Sequence, residues 1–154
     1  MEIKVIMLIN LLLYSVVVSQ SFSYIISLTN VQQSLDAATY IQFRQLTDKN
    51  FQSKFRWVIY ATLVSGIILL FVNRGNVTGI SFITAAIALC ALIADIAIAL
   101  KINLPINKAI NSWTVDSYPG DWTKYRERWF QAFYKRQVLN IGGFICLLMG
   151  TVFG

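Results

Sequence analysis

The sequence predicts an all-α integral membrane protein: an up-down four-helix bundle with additional cytoplasmic amphipathic helix segments. Three observations predict it. Hydrophobic residues make up 56% of the chain and charged residues 13%, with a mean hydropathy of +0.60, whereas soluble domains are about a quarter charged. Four windows, about 4–28, 56–73, 79–100 and 137–154, each offer the roughly 17 to 25 mainly apolar residues that a spanning helix needs. The second and third windows are joined only by "NRGNVTG", a turn rich in Gly and Asn that makes them antiparallel neighbours. At 154 residues, the whole chain is expected to be one domain.

The first window, "KVIMLINLLLYSVVVSQSFSYIISL", has the basic start and apolar run of a signal peptide. Its apolar character continues through Tyr24, Ile25, Ile26 and Leu28, beyond any plausible cleavage point, so a retained span is expected. Gln20, Ser23, Tyr24 and Ser27 recur at spacings of three and four, which places them on one face. Lipid offers polar groups no partner, so that face should look into the bundle, as glue between helices or as the wall of a ligand site.

The next stretch, 29–55, is too polar to span. Leu35, Ala38, Gln42, Phe43 and Leu46 recur at helical spacing, with Asp36 near the start, where negative charge suits the helix dipole. A cytoplasmic amphipathic helix reaching about Thr47, either separate from the first span or continuous with it, is expected, with "DKN" at 48–50 turning the chain into the second span.

In the third span, Asp95 lies among Ala, Leu and Ile. Ala88, Ala91, Leu92, Ile98 and Ala99 share its face, and small residues mark the side on which membrane helices approach closely. Lys101 follows six residues later, about 9 Å along the axis. Asp95 therefore sits towards the basic end of the span, at the level where the fourth begins. Arg136 or Arg126 is its expected partner, with Arg44 or Arg56 next.

The connection 101–136 holds both prolines and three of the four tryptophans. "YPGDW" reads as a turn followed by a helix capped by Asp121. Trp122, Tyr125, Arg126, Trp129, Phe133 and Arg136 then fall at steps of three or four, so two guanidiniums share an aromatic face. Lys124, Glu127, Arg128, Gln131 and Lys135 lie largely opposite. An interfacial aromatic belt with snorkelling basic residues has the same composition. An Arg on an apolar face, however, needs a partner.

Of the 13 Lys and Arg residues, Lys4 and Arg74 fall on one side of a four-span topology and the other eleven on the opposite side. Both termini are therefore expected outside a cell membrane, with 29–55 and 101–136 cytoplasmic. The net charge of +6 marks contact with anionic membrane lipid rather than nucleic acid. Histidine is absent, and Cys90 and Cys146 each lie within a span without CxxC spacing. No metal site and no cofactor are expected, and Ser-His or Cys-His nucleophile arrangements are excluded.

From "LPIN" at Leu104–Asn107, through Trp113 and "PGDW", to "RERWFQAFYKR", the last third of the chain resembles the anthrone-oxygenase-like family of small four-helix membrane proteins. The rest is similar only in its number of spans. The resemblance points to Pro105, Asn107, Trp113, Trp122, Arg126, Trp129 and Arg136. It implies a cofactor-independent oxygenation of an activated aromatic carbon, in which a base removes a proton and the carbanion meets oxygen. Asp95 would be the base, Arg126 or Arg136 would hold the developing enolate, and Asn107, Trp113, Trp122 and Trp129, joined by Gln20 and Tyr24 from the polar face of the first span, would line the site of a hydrophobic small molecule. Where many family members carry His, this chain has Phe133, so any step needing that His is absent. The alternative function is a non-catalytic accessory subunit of a larger membrane complex, or a homo-oligomer. Four spans with one acid are thin for a proton-coupled carrier.

Overall fold

The computed structural model describes residues 2–154. Its frame is four long helices: α1 Ile3–Ser34, α2 Ala37–Val72, α3 Ile80–Asn111 and α4 Trp122–Phe153. All four are long and apolar enough to cross a membrane. Each packs against its sequence neighbour, and α4 closes the ring against α1, while the diagonal pairs touch little. This is the up-down arrangement that short connections favour.

The faces are inverted relative to a soluble bundle. Leu8, Leu12, Ile67, Phe71, Ile83 and Ile87 are exposed, whereas Asn10, Thr62, Asp95, Arg136 and Asn140 are buried. Backbone and side-chain polar groups in lipid must find partners within the protein. Asn10 shows how: its amide donates to the Thr62 carbonyl at 3.1 Å and to Ser65 Oγ at 2.7 Å, joining α1 to α2.

The most extensive contact is between α3 and α4, and it is built on seven-residue steps in antiparallel register. Ser81 Oγ donates to the Gly150 carbonyl at 3.2 Å. One step further, Tyr14 from α1 donates to the Ala88 carbonyl at 3.3 Å, with its hydroxyl lying against Gly143. At the last rung Asp95 meets Arg136. Only glycine fits at 143 and 150, because a Cβ would strike the Tyr14 hydroxyl or Thr84 Oγ1. Gly143→Ala is expected to cost about 2 kcal/mol through overpacking. In a Tyr14→Phe background, which removes the obstructing oxygen, the same change should cost about half as much. Thermal unfolding of the wild type, the two single variants and the double variant in detergent measures the difference.

At 32 to 36 residues, each helix is about 48 to 54 Å long, well beyond a hydrocarbon core of about 30 Å. Two apolar cores follow. The first joins Met7, Tyr14, Leu69, Ala88, Leu92 and Leu147. The second joins Tyr24, Tyr40, Ile41, Ile110, Trp129 and Phe133 at the basic end. Between them lies a layer of charged and amide side chains.

Several expectations need correction. No turn occurs at "DKN": α2 runs unbroken from Ala37 to Val72, so the amphipathic helix expected in 29–55 is continuous with the second span. The break falls at Leu35–Asp36, where both residues are extended. Asp36 does start α2, accepting a hydrogen bond from the Thr39 backbone N–H at 2.8 Å. That bond holds its carboxyl below the usual range. Its contribution is therefore present above the ordinary carboxylate pKa and is lost as pH falls through the lowered one. Asp36→Ala should accelerate amide exchange at Thr39.

The buried face of α2 is also different, since Tyr40, Ile41, Arg44 and Asp48 point inward while Gln42 and Leu46 are exposed. In α1, Ser23 and Ser27 are exposed although Tyr24 is buried and Gln20 half-buried. Asp121 supplies no side-chain cap to α4 and instead pairs with Lys124 at 3.7 Å, both exposed.

Candidate functional site

Two of the four helices widen to a π turn at the level of the polar layer, α1 at Tyr24–Leu28 and α3 at Ala99–Asn103. Single π turns inside α-helices often accompany functional sites. In α3 the turn has a visible consequence. A step of four residues overshoots an α-helical turn by about 40°, so side chains spaced by four drift around the helix. The extra residue of the π turn takes back part of that drift. Asp95, Asn103 and Asn107 consequently reach a common interior.

Asp95 is wholly buried, and its Oδ1 accepts from Arg136 Nε at 2.6 Å. The partner inferred from depth and face is the one found. Arg136 Nη1 donates to Asn103 Oδ1 at 3.4 Å, and Asn103 Nδ2 donates to the Trp129 carbonyl at 3.1 Å. Asp95 Oδ2 is buried without a hydrogen-bond partner, a costly condition for a carboxylate oxygen.

A second set of charges is held through Asn107. Its Oδ1 accepts from Arg44 Nη2 at 2.7 Å and from Trp129 Nε1 at 3.0 Å. Its Nδ2 donates to Asp48 Oδ1 at 2.8 Å. Asp48 Oδ2 accepts from Asn111 at 2.8 Å and Gln52 at 2.9 Å. Arg44 also donates to the Tyr24 hydroxyl at 3.3 Å and lies 4.0 Å from the centroid of the Trp129 ring. Its Nε is buried and unpartnered. The buried part of the site thus holds two carboxylates and two guanidiniums, one pair in direct contact and the other bridged by a single amide, while a third guanidinium, the exposed Arg56, borders the same space.

These groups surround a cavity of about 360 Å³, within the range of small-molecule sites. Gln20 and Tyr24 from α1, with Trp129 and Arg136 from α4, form its inner wall. Phe55, Ile59 and Tyr60 from α2 and Ile96, Leu100 and Leu104 from α3 form its sides. Tyr60 and Leu100 are exposed, so the cavity opens between α2 and α3.

Of the residues expected at a site, Asp95, Arg136, Gln20, Tyr24, Asn107 and Trp129 border this cavity, whereas Trp113, Trp122 and Arg126 do not. Arg126 donates to the carbonyls of Gln32 at 3.4 Å and Leu35 at 3.2 Å, the C-terminal carbonyls freed where α1 breaks. It also lies 4.7 Å from the Trp122 ring centroid, and Trp122 packs on Tyr40 at 5.6 Å. Trp113 packs edge-on against Tyr125 at 5.0 Å, and its carbonyl accepts from Gln45. This second aromatic-arginine group fastens the break in α1 and the 112–121 connection to α4.

Sequence reasoning missed Asp48 and Asn103, and named Arg44 only as a reserve partner for Asp95. Signals existed: Arg44 and Asp48 are four apart, as are Asn103, Asn107 and Asn111. No family model, curated protein or solved structure matches the chain.

Proposed function

We propose that the chain is a multi-pass membrane protein that takes a hydrophobic, lipid-like or aromatic small molecule from the membrane into the cavity between α2 and α3. One observation carries this reading. A cavity bordered by the buried charged and amide side chains Asp95, Arg136, Arg44, Asp48 and Asn107 opens sideways between two helices, at the level where the apolar windows give way to charged sequence. A purely structural ion pair would be better served by packed side chains around it, because the cavity forgoes dispersion contacts.

The excess of Lys and Arg at this end supports placing it on the cytoplasmic side of a cell membrane, with both termini outside. Binding is favoured over the oxygenation that the family resemblance implies. Asp95 already bonds Arg136, both Asp48 oxygens are taken by amides, and Arg126 lies away from the cavity.

The test is solvent extraction and mass spectrometry of the full chain purified in mild detergent, beside Leu100→Trp, which places an indole in the opening. A roughly stoichiometric hydrophobic molecule is expected from the wild type and not from the variant. Identical extracts from the two, with only bulk lipid, would count against binding.

A further inference from the structure

We infer that the ligand of the cavity is a hydrophobic monocarboxylate with a single apolar body, whose anionic head is held at the cavity mouth by Arg56. This rests on the binding function proposed above and specifies the charge of its ligand.

The charge count comes first. Three guanidiniums, Arg44, Arg56 and Arg136, and two carboxylates, Asp48 and Asp95, border the cavity, so one positive charge is left over. The geometry identifies which. Arg136 holds Asp95, and Arg44 is joined to Asp48 through Asn107. Arg56 is exposed, and among the described residues its guanidinium makes no ion pair and no hydrogen bond; it lies 5.7 Å from the Trp57 ring centroid. Contact with a ring attracts a cation without neutralising it.

Position comes second. Arg56 borders two spaces at once, the cavity and a polar groove that also involves Lys49, Gln52, Ser53 and Asn111. These groove side chains are exposed, and the one carboxylate there, Asp48, has both oxygens engaged by amides. Lys49 lies seven residues before Arg56, about 10 Å along the helix, and does not border the cavity. On the other side of Arg56 the wall is apolar, with Phe55 and Ile59 of α2 facing Ile96 and Leu100 of α3. An amphiphile laid across this junction keeps its head in the exposed groove, where it retains part of its hydration, and its body in the cavity.

The chemistry of head and body comes third. A guanidinium offers parallel N–H donors that match the two oxygens of a carboxylate. Phe51 and Phe55, with ring centroids 4.2 Å apart, share the wall with branched aliphatic side chains. Such a wall takes a chain or a flat ring system, so the head rather than the body is what the site specifies. At about 360 Å³ the cavity lies near the lower end of the range of small-molecule sites, room for one hydrophobic body rather than the paired chains of a phospholipid.

The experiment equilibrates the full chain in mild detergent with oleate and 9-anthracenecarboxylate, each beside its methyl ester, and with dioleoylphosphatidylglycerol. The chain is then repurified, and the molecules it retains are extracted and quantified by mass spectrometry. About one carboxylate per chain is expected, preferred about tenfold over its ester, the scale of one charge-assisted hydrogen bond. The acid retained in greater amount identifies the body as chain or ring. Arg56→Gln should remove the preference for acid over ester, Arg56→Lys, which keeps the charge, should retain most of it, and Leu100→Trp should abolish retention. Both positions are exposed, so all three variants should unfold at the wild-type temperature. Esters retained as well as the acids, or a preference that survives Arg56→Gln, overturns the carboxylate inference and leaves the binding function standing. So does phosphatidylglycerol retained in preference to the acids, the behaviour of a basic residue that only anchors a helix to anionic lipid. Absence of one-to-one retention of any of the five overturns both.

Discussion

Asp95→Leu should destabilise the bundle by about 3–5 kcal/mol, the usual cost of leaving one partner of a buried ion pair uncompensated. The magnitude comes from Arg136, which is buried and whose other side-chain contact, to Asn103 Oδ1, is long at 3.4 Å. Without the carboxylate, a guanidinium would remain in a low-dielectric interior with one weak acceptor. Replacing both residues, Asp95→Leu with Arg136→Met, removes that charge as well and should restore stability to within about 1 kcal/mol of wild type, since buried pairs often exchange for apolar residues at little net cost. Unfolding of the three variants by SDS titration or heat in detergent gives the cycle. A double variant no more stable than Asp95→Leu would show that the pair is not energetically isolated and that its surroundings depend on the charges.

The second large effect is expected at Asn107. Asn107→Leu keeps the branched shape and the number of side-chain heavy atoms but strands Arg44 Nη2, Asp48 Oδ1 and Trp129 Nε1 together. Two of the three belong to charged side chains. At roughly 1–3 kcal/mol for each buried group left unsatisfied, a loss of about 3–4 kcal/mol follows, allowing for partial relaxation towards the cavity. Asn111→Leu is the control. It removes one bond to Asp48 Oδ2, which retains Gln52, and Asn111 is exposed. Its cost should stay below about 1 kcal/mol. Equal losses at the two positions in the same unfolding assay would contradict the bridging role of Asn107.

What was legible in the chain depended on whether a signal survives in one dimension. Four apolar windows of spanning length gave the helix count, and the burial of Asp95 and its pairing with Arg136 followed from small neighbours and axial depth. The face of α4 was equally plain, with Trp129, Phe133 and Arg136 buried and Lys124, Arg128 and Lys135 exposed. The start of α2 was obscured by its composition. Lys49, Lys54 and Arg56 suggested a connection, yet they are exposed side chains of a continuous helix whose inner face carries Arg44 and Asp48. A buried face that is itself charged has no hydrophobic periodicity to detect.

The partner of Arg126 was out of reach for another reason. It binds backbone carbonyls of Gln32 and Leu35, acceptors that are free only because α1 ends there, and every residue type carries a carbonyl. The π turns at Tyr24–Leu28 and Ala99–Asn103 likewise leave no compositional mark, although they help bring Tyr24 and Asn103 to the same site.

The most direct measurement is an experimental density map of the full chain in a lipid bilayer. The account predicts elongated density that starts at Gln20 beside the Asp95–Arg136 pair, runs past Ile96 and leaves between Tyr60 and Leu100. A closed site, with Phe55 and Leu100 packed against each other and no density between them, would contradict it.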